Sequence, residues 1–224
     1  MLKHARIAVL TLVVPIALAG CKTPTAESRI AEANEFLKHD QFQQATQTVE
    51  PVVKDQPGNW QAQLALGRGM LGQGQLEAAR RALDRAHTLK PTSDEAVFAL
   101  AMCMVKQNDS ASAYQLLRGF GKEFRSWRAY MQLSMLAEQV GDADTALQAA
   151  DDSIKVNDPL PGQRASVEPY LRAADVCFHF GREEQGVRRL RQAYGLNPDD
   201  PRTAQALREH NVAPSKAIIL PPGV

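Results

Sequence analysis

Trp60 to Ser93 reads WQAQLALGRGMLGQGQLEAARRALDRAHTLKPTS. Ala79, Leu83 and Ala86 stand three and four residues apart, so they form one stripe along a helix. Gly74 divides the stretch into two helical halves, and Pro91 closes the second. The alanines let the two halves approach closely, and the leucine fills the volume that remains. A single hairpin of this kind leaves its apolar face uncovered, so it needs hairpins of the same design beside it.

The rest of the chain supplies them. Gly74-Gln75-Leu76-Glu77-Ala78-Ala79 is matched by Asp40-Gln41-Phe42-Gln43-Gln44-Ala45, and the two alanines, Ala45 and Ala79, are 34 residues apart. The phrase returns at Gly141 to Ala146 and at Gly181 to Gly186, with a weaker copy at Asn108 to Ala113. Self-similarity at a period in this range marks a stacked repeat architecture. The first repeat carries Ala45, Val49, Val52 and Pro57 at matching places, the fourth Leu133, Ala146, Ala150 and a late Pro159, and the fifth Ala173-Ala174, Leu190, Ala193 and Pro198. The third has Leu100-Ala101, Ala113, Leu117 and Phe120, but it lacks a closing proline and is one residue short.

With Leu66-Gly67 in the first helix, a small turn residue, a small-large-small stripe in the second and a closing proline, the chain resembles the tetratricopeptide repeat family over about residues 26–200. The resemblance implies an all-α solenoid of about five helical hairpins at 29–210, ending in a capping helix near Arg202 to His210. Pro159, Pro161 and Gly162 interrupt the helices, so residues 155–166 are expected to form a loop or a slightly splayed joint.

The first twenty residues are of a different kind. Lys3 and Arg6 precede the apolar run IAVLTLVVPIAL, Ile7 to Leu18. Crossing a hydrocarbon core takes about 20 residues of helix, so this run has the length of a signal-peptide core rather than a span. It leads into Leu18-Ala19-Gly20-Cys21, which resembles the bacterial lipobox. Small residues fit a narrow peptidase cleft, and the thiol accepts the lipid. The expectation is a signal peptide at 1–20, lipidation at Cys21 and a short linker at 21–28. By resemblance to Gram-negative lipoproteins, Lys22 in place of an aspartate favours the periplasmic face of the outer membrane where the cell has one.

The 26 basic and 25 acidic residues nearly cancel, and no basic patch interleaved with aromatics occurs, so nucleic acid is not an expected partner. No HExxH, GxSxG, P-loop or dinucleotide fingerprint is present. Gly67-Arg68-Gly69 and Gly72-Gln73-Gly74 fall at repeat positions, and His39, His87, His179 and His210 are scattered. No catalytic residue, metal or cofactor is therefore assigned. Cys103 and Cys177 fall in first helices two repeats apart, roughly 20 Å, beyond the Cα separation of about 7 Å that a disulfide allows. Both are expected to be small buried hydrophobes.

Family resemblance places groove contacts on the first helices. Carried over by position, these are Leu64, Arg68 and Leu71 in the second repeat and Glu95, Phe98, Met102 and Lys106 in the third. The fourth contributes Arg128, Met131, Met135 and Gln139, and the fifth Leu171, Asp175, Phe178 and His179. A register shift of one residue would exchange groove for core at any of them. The implied function is a membrane-tethered, non-catalytic scaffold that holds a partner's peptide or helix in a concave groove, in envelope, secretion or pilus assembly. Lipoproteins of this design resemble outer-membrane assembly and pilotin-type repeat proteins. Two other readings stand beside it: a regulator of a cell-wall enzyme or its glycan, and a subunit that only braces a complex. The glycan version would want an aromatic platform, and Trp60, Trp127, Tyr130 and Tyr170 are dispersed along the sequence.

The tail, residues 211–224, reads NVAPSKAIILPPGV. Pro214 and Pro221-Pro222 bias it toward extended backbone. Ile218, Ile219 and Leu220 leave two readings open: docking on the protein or a partner, in competition for the groove, or a disordered end.

Overall fold

A short polar residue precedes most of the expected first helices, and each one caps its helix. In the computed structural model, which describes residues 24–157, 159 and 165–223, the side chains of Thr25, Asn59, Ser93 and Ser126 accept from the N–H groups of Ser28, Ala62, Ala96 and Ala129. They open α1 (Ala26–Lys38), α3 (Trp60–Gly72), α5 (Asp94–Lys106) and α7 (Trp127–Gln139). Each bond satisfies a donor that the first helical turn leaves unpaired. Because Thr25 caps α1, the helix begins at Ala26, and the linker expected to reach residue 28 is correspondingly shorter.

The recurring phrase opens at Asp40, Gly74, Asn108, Gly141 and Gly181, and all five adopt positive φ, between 55° and 77°. A left-handed residue reverses the chain, so the second helix of each hairpin folds back on the first. Glycine enters this region freely, and Asp and Asn are the side chains that tolerate it best. The second helices are α2 (Phe42–Asp55), α4 (Leu76–Leu89), α6 (Ser110–Glu123), α8 (Ala143–Lys155) and α10 (Glu183–Leu196), the last following α9 (Glu168–His179).

Each second helix turns its predicted stripe inward. Ala45, Val49, Ala79, Leu83, Ala113, Leu117, Ala146 and Leu190 are buried. At Gly186, which stands where the other repeats have alanine, a Cβ would come within 2.3 Å of the Phe178 ring, so the phenylalanine occupies the methyl's place. The buried residues join in clusters that run from α1 to α11, each shared between successive hairpins. First helices also pack on one another, α1 on α3, α3 on α5, α5 on α7 and α7 on α9, making one layer. Among the described residues all regular structure is helical, and no helix is long and apolar enough to cross a membrane.

The third repeat is a full hairpin despite its missing proline. Arg125, with φ 48°, ends α6 in a left-handed turn, and Ser126 starts α7 at once. The Ser126 hydroxyl also donates to Asp94 Oδ1 at 2.9 Å, tying this turn to α5. After α8, buried Asn157 clamps the loop: its amide donates to the Ser166 carbonyl at 2.7 Å and its oxygen accepts from Ser166 N. These bonds and the packing of α8 on α9 hold together the two ends of the segment expected as a loop or a slightly splayed joint, of which residues 158 and 160–164 lie outside the described residues. Cys103 and Cys177 are both buried free thiols, and burial pushes the pKa of each upward.

The end of the array is covered by α11 (Pro201–Glu209), capped by Asp200, whose Oδ1 accepts from Arg202 N and Thr203 N. The Arg202 side-chain hydrogen bond holds the Asp200 carboxyl below its ordinary pKa. A depressed folded-state pKa stabilises α11 above the unfolded value of about 3.9, and this contribution is lost as pH falls through the folded value. Asp200→Ala is expected to cost about 0.5–2 kcal/mol. The check is faster amide exchange in α11 at neutral pH, with the difference from wild type shrinking as the medium is acidified.

The described residues beyond α11 stay against the protein. They pass through one 3-10 turn, Lys216–Ile218, and pack Val212 and Ile218 against the α9–α11 cluster. The described tail residues thus lie against the protein itself.

Candidate functional site

The layer of first helices bounds a cavity of about 630 Å³ between α1, α3, α5 and α7. Arg68, Leu71, Glu95, Phe98, Met102 and Lys106, all expected groove residues, line it. Its middle is apolar. Phe98 and Met102 are half-buried, whereas Arg68, Glu95 and Lys106 are exposed and carry charge of both signs.

Six further lining residues were not anticipated: Leu37, Asp40, Phe42, Gly72, Ala99 and Gln132. Leu37, Ala99 and Gln132 come from first helices, and counting along the repeat places Gln132 level with Ala99. Phe42 belongs to a second helix and arrives for a different reason. A Cβ on Gly72 would come within 2.3 Å of the Phe42 ring, so the missing side chain on α3 admits the ring from α2. Only spatial proximity reveals this pairing. Gln132 Oε1 is buried and has no hydrogen-bond partner.

The remaining expected groove residues divide. Leu64 is 5% exposed and packs in the central core, facing inward rather than into the groove, while half-buried Leu171 packs against two core clusters. The reason is the one-residue register between groove and core positions on a helix. Met131 is half-buried and Met135 exposed on α7, the latter at 39%. Gln139 is exposed, and the Arg128 guanidinium lies 4.7 Å from the centre of the neighbouring Trp127 ring.

At α9 the surface is polar and already paired. Arg172 Nη2 lies 2.6 Å from Glu138 Oε2, and His179 Nδ1 lies 3.3 Å from Glu138 Oε1. Phe178 stacks on His210, with centroids 3.5 Å apart and planes 9° apart. Asp175 is open to solvent but closely walled by protein, and lost hydration raises its pKa against the opposing pull of Arg172. The cavity lined by the first helices therefore lies between α1 and α7 and does not extend to α9. Among the described residues no group of three His, Cys, Asp or Glu is placed to hold a metal.

Comparison with known proteins agrees with this architecture. Two tetratricopeptide repeat models match residues 30–94 and 70–137. A thermophilic TPR protein of Thermus thermophilus has a TM-score of 0.57 at 14% identity, over 84% of this chain and 99% of that one. A tetratricopeptide repeat protein from Parabacteroides merdae gives 0.58 at 12% identity, over 85% and 72%. PilF of Pseudomonas aeruginosa gives 0.56 at 14% identity, over 83% and 86%. Identities this low carry the fold alone. No curated protein sequence matches the chain. The two family matches overlap through consecutive hairpins, and the same hairpin recurs through α10. The chain belongs to the tetratricopeptide repeat family, whose members are generally non-catalytic scaffolds that bind protein or peptide partners.

Proposed function

We propose that this protein is a lipid-anchored scaffold of the cell envelope that holds an extended segment or helix of a partner protein in the α1–α7 cavity. The observation that carries the reading is the cavity itself. Leu71, Phe98 and Met102 form an apolar floor, and Arg68, Glu95 and Lys106 provide charged edges. Few polar groups around an apolar concavity fix the orientation of an occupant while apolar contact supplies affinity. Methionine adapts to varied side chains, so Met102, with Met131 and Met135 on the next helix, suits a site that repacks around its ligand. Lipidation at Cys21 would keep the scaffold at the membrane, on the periplasmic side of the outer membrane in a cell with two, and serve envelope, secretion or pilus assembly. Cys21 itself lies outside the described residues.

A displayed library of random peptides, selected on the soluble array, tests the cavity. Peptides recovered on wild type are expected to lose about tenfold or more in affinity for Phe98→Ala, since one well-buried anchor side chain carries roughly 1.4 kcal/mol or more of binding. They are expected to bind Leu89→Ala unchanged, because Leu89 is an exposed residue of α4 outside the cavity. Equal binding to Phe98→Ala and wild type would remove the cavity from consideration.

A further inference from the structure

We propose that the face of α10 bearing Arg189, Gln192 and Gly195, with Tyr170 beside it, is a second binding site. It takes an extended, proline-containing peptide and is occupied in cis by the chain's own tail. The inference is independent of the α1–α7 cavity.

The site is built from buried polar groups that reach for backbone. Gln192 is 3% exposed, and its Nε2 donates to the carbonyls of Pro221 at 3.1 Å and Gly223 at 2.9 Å. Arg189, 9% exposed, donates through Nη1 to the same Gly223 carbonyl at 3.0 Å, while Nη2 is held by Asp151 at 2.6 Å. Arg191 Nε donates to the Ile218 carbonyl at 2.7 Å. Buried Tyr170 accepts from Gly223 N through its hydroxyl at 3.2 Å. Gly195 completes the seat: a Cβ there would lie 2.8 Å from the Leu220 carbonyl oxygen, so the absent side chain is what admits the tail.

Two consequences follow for the ligand. All five hydrogen bonds to the tail go to main-chain atoms, so recognition depends on an extended backbone more than on particular side chains. Ile219 has φ −58° and ψ 131°, close to polyproline II, and Pro221-Pro222 favour the same conformation. Proline pre-orders such a segment and lowers the entropy lost on binding. Ile218 adds side-chain burial against the α9–α11 cluster. The partner that fits is therefore a protein segment of this chemistry, apolar residues followed by prolines, which enters when the tail leaves. Because the tail lies on α10, it does not compete for the α1–α7 cavity; the expected competition in the groove is corrected by its position.

The test uses the full chain and a fluorescent peptide spanning residues 212–223. Ile218→Asp together with Pro221→Gly loosens the resident tail and leaves the site untouched. This variant is expected to bind the peptide at least about tenfold more tightly than wild type, since a tethered tail at millimolar effective concentration keeps the site mostly filled. Adding Gln192→Leu, or Gly195→Ala, to the loosened chain should remove that gain. Gly195→Ala raises helix propensity, so a loss of binding there does not come from unfolding of α10. In the otherwise wild-type chain, Gly195→Ala should also bring amide exchange at Ile218 and Ile219 toward the free-peptide rate. The proposal is overturned if the loosened chain binds no better than wild type, if Gln192→Leu and Gly195→Ala both leave binding intact, or if the wild-type tail already exchanges as a free peptide.

Discussion

Leu83→Ala is expected to lower the stability of the central hairpins by about 2–5 kcal/mol, the range for deleting most of a buried leucine and leaving a cavity. Leu83 has no solvent exposure and sits at the heart of the α3–α5 core. Its Cγ and Cδ2 approach α3 so closely that a Cβ on Gly67 would meet them at 2.6 and 2.7 Å. Gly67→Ala alone is therefore expected to overpack this contact. That costs about 1–3 kcal/mol against a gain of up to about 1 from helix propensity. In the double variant the new methyl enters space that the leucine has vacated. The combined loss should then fall short of the sum by about 0.5–3 kcal/mol. Urea unfolding gives the midpoints, and amide exchange in α3 and α4 localises the loss, because repeat arrays open in parts. Leu89→Ala, at an exposed site, is the control and should stay within about 0.5 kcal/mol. Strict additivity of Gly67→Ala and Leu83→Ala would contradict the close contact.

Cys21→Ser is expected to abolish labelling by a palmitate analogue and to leave the first twenty residues uncleaved by the lipoprotein peptidase. The argument is chemical. Lipid transfer to this position needs a thiol nucleophile, and a serine hydroxyl stays protonated and far less reactive at neutral pH. A thiol exposes a substantially larger anionic fraction. Several acyl chains make a stable anchor where a single one holds only marginally. Wild type should accordingly sediment with membranes and release only in detergent. Soluble protein engineered to start at Lys22 should stay in the supernatant with unchanged helical circular dichroism. Equal acyl labelling of Cys21→Ser and wild type would defeat the proposed anchor, and it would leave the helical array and its cavity unaffected.

Much of the fold was legible because its determinants are local. The spacing of Ala79, Leu83 and Ala86 defines a helical face, and that face is buried. The phrase beginning at Asp40, Gly74, Asn108, Gly141 and Gly181 starts each time at the residue that takes positive φ. Even the weak third copy folds as a hairpin, because a left-handed Arg125 and a capping Ser126 end and restart the helices without a proline. The groove was legible only in part. Six of its expected residues line the cavity, whereas Leu64 turns inward. Neighbouring positions on one helix differ by about 100° in direction, so a position copied from a family pattern lands on either side of the groove edge.

Sequence alone determined what repeats: helix faces, turn residues, caps, and the small residues that let hairpins stack. It also separated the basic and apolar first twenty residues from the array, since charge and length speak for themselves there. Tertiary structure decided what depends on residues distant in the chain. Phe42 enters the cavity because Gly72, on the next hairpin, has no side chain to exclude it. The tail's place was settled in the same way, by Tyr170, Arg189, Gln192 and Gly195 meeting the backbone of residues 218–223. Such contacts leave no periodic trace, because main-chain carbonyls are the same in every residue, and a missing side chain matters only where something else arrives to fill its place.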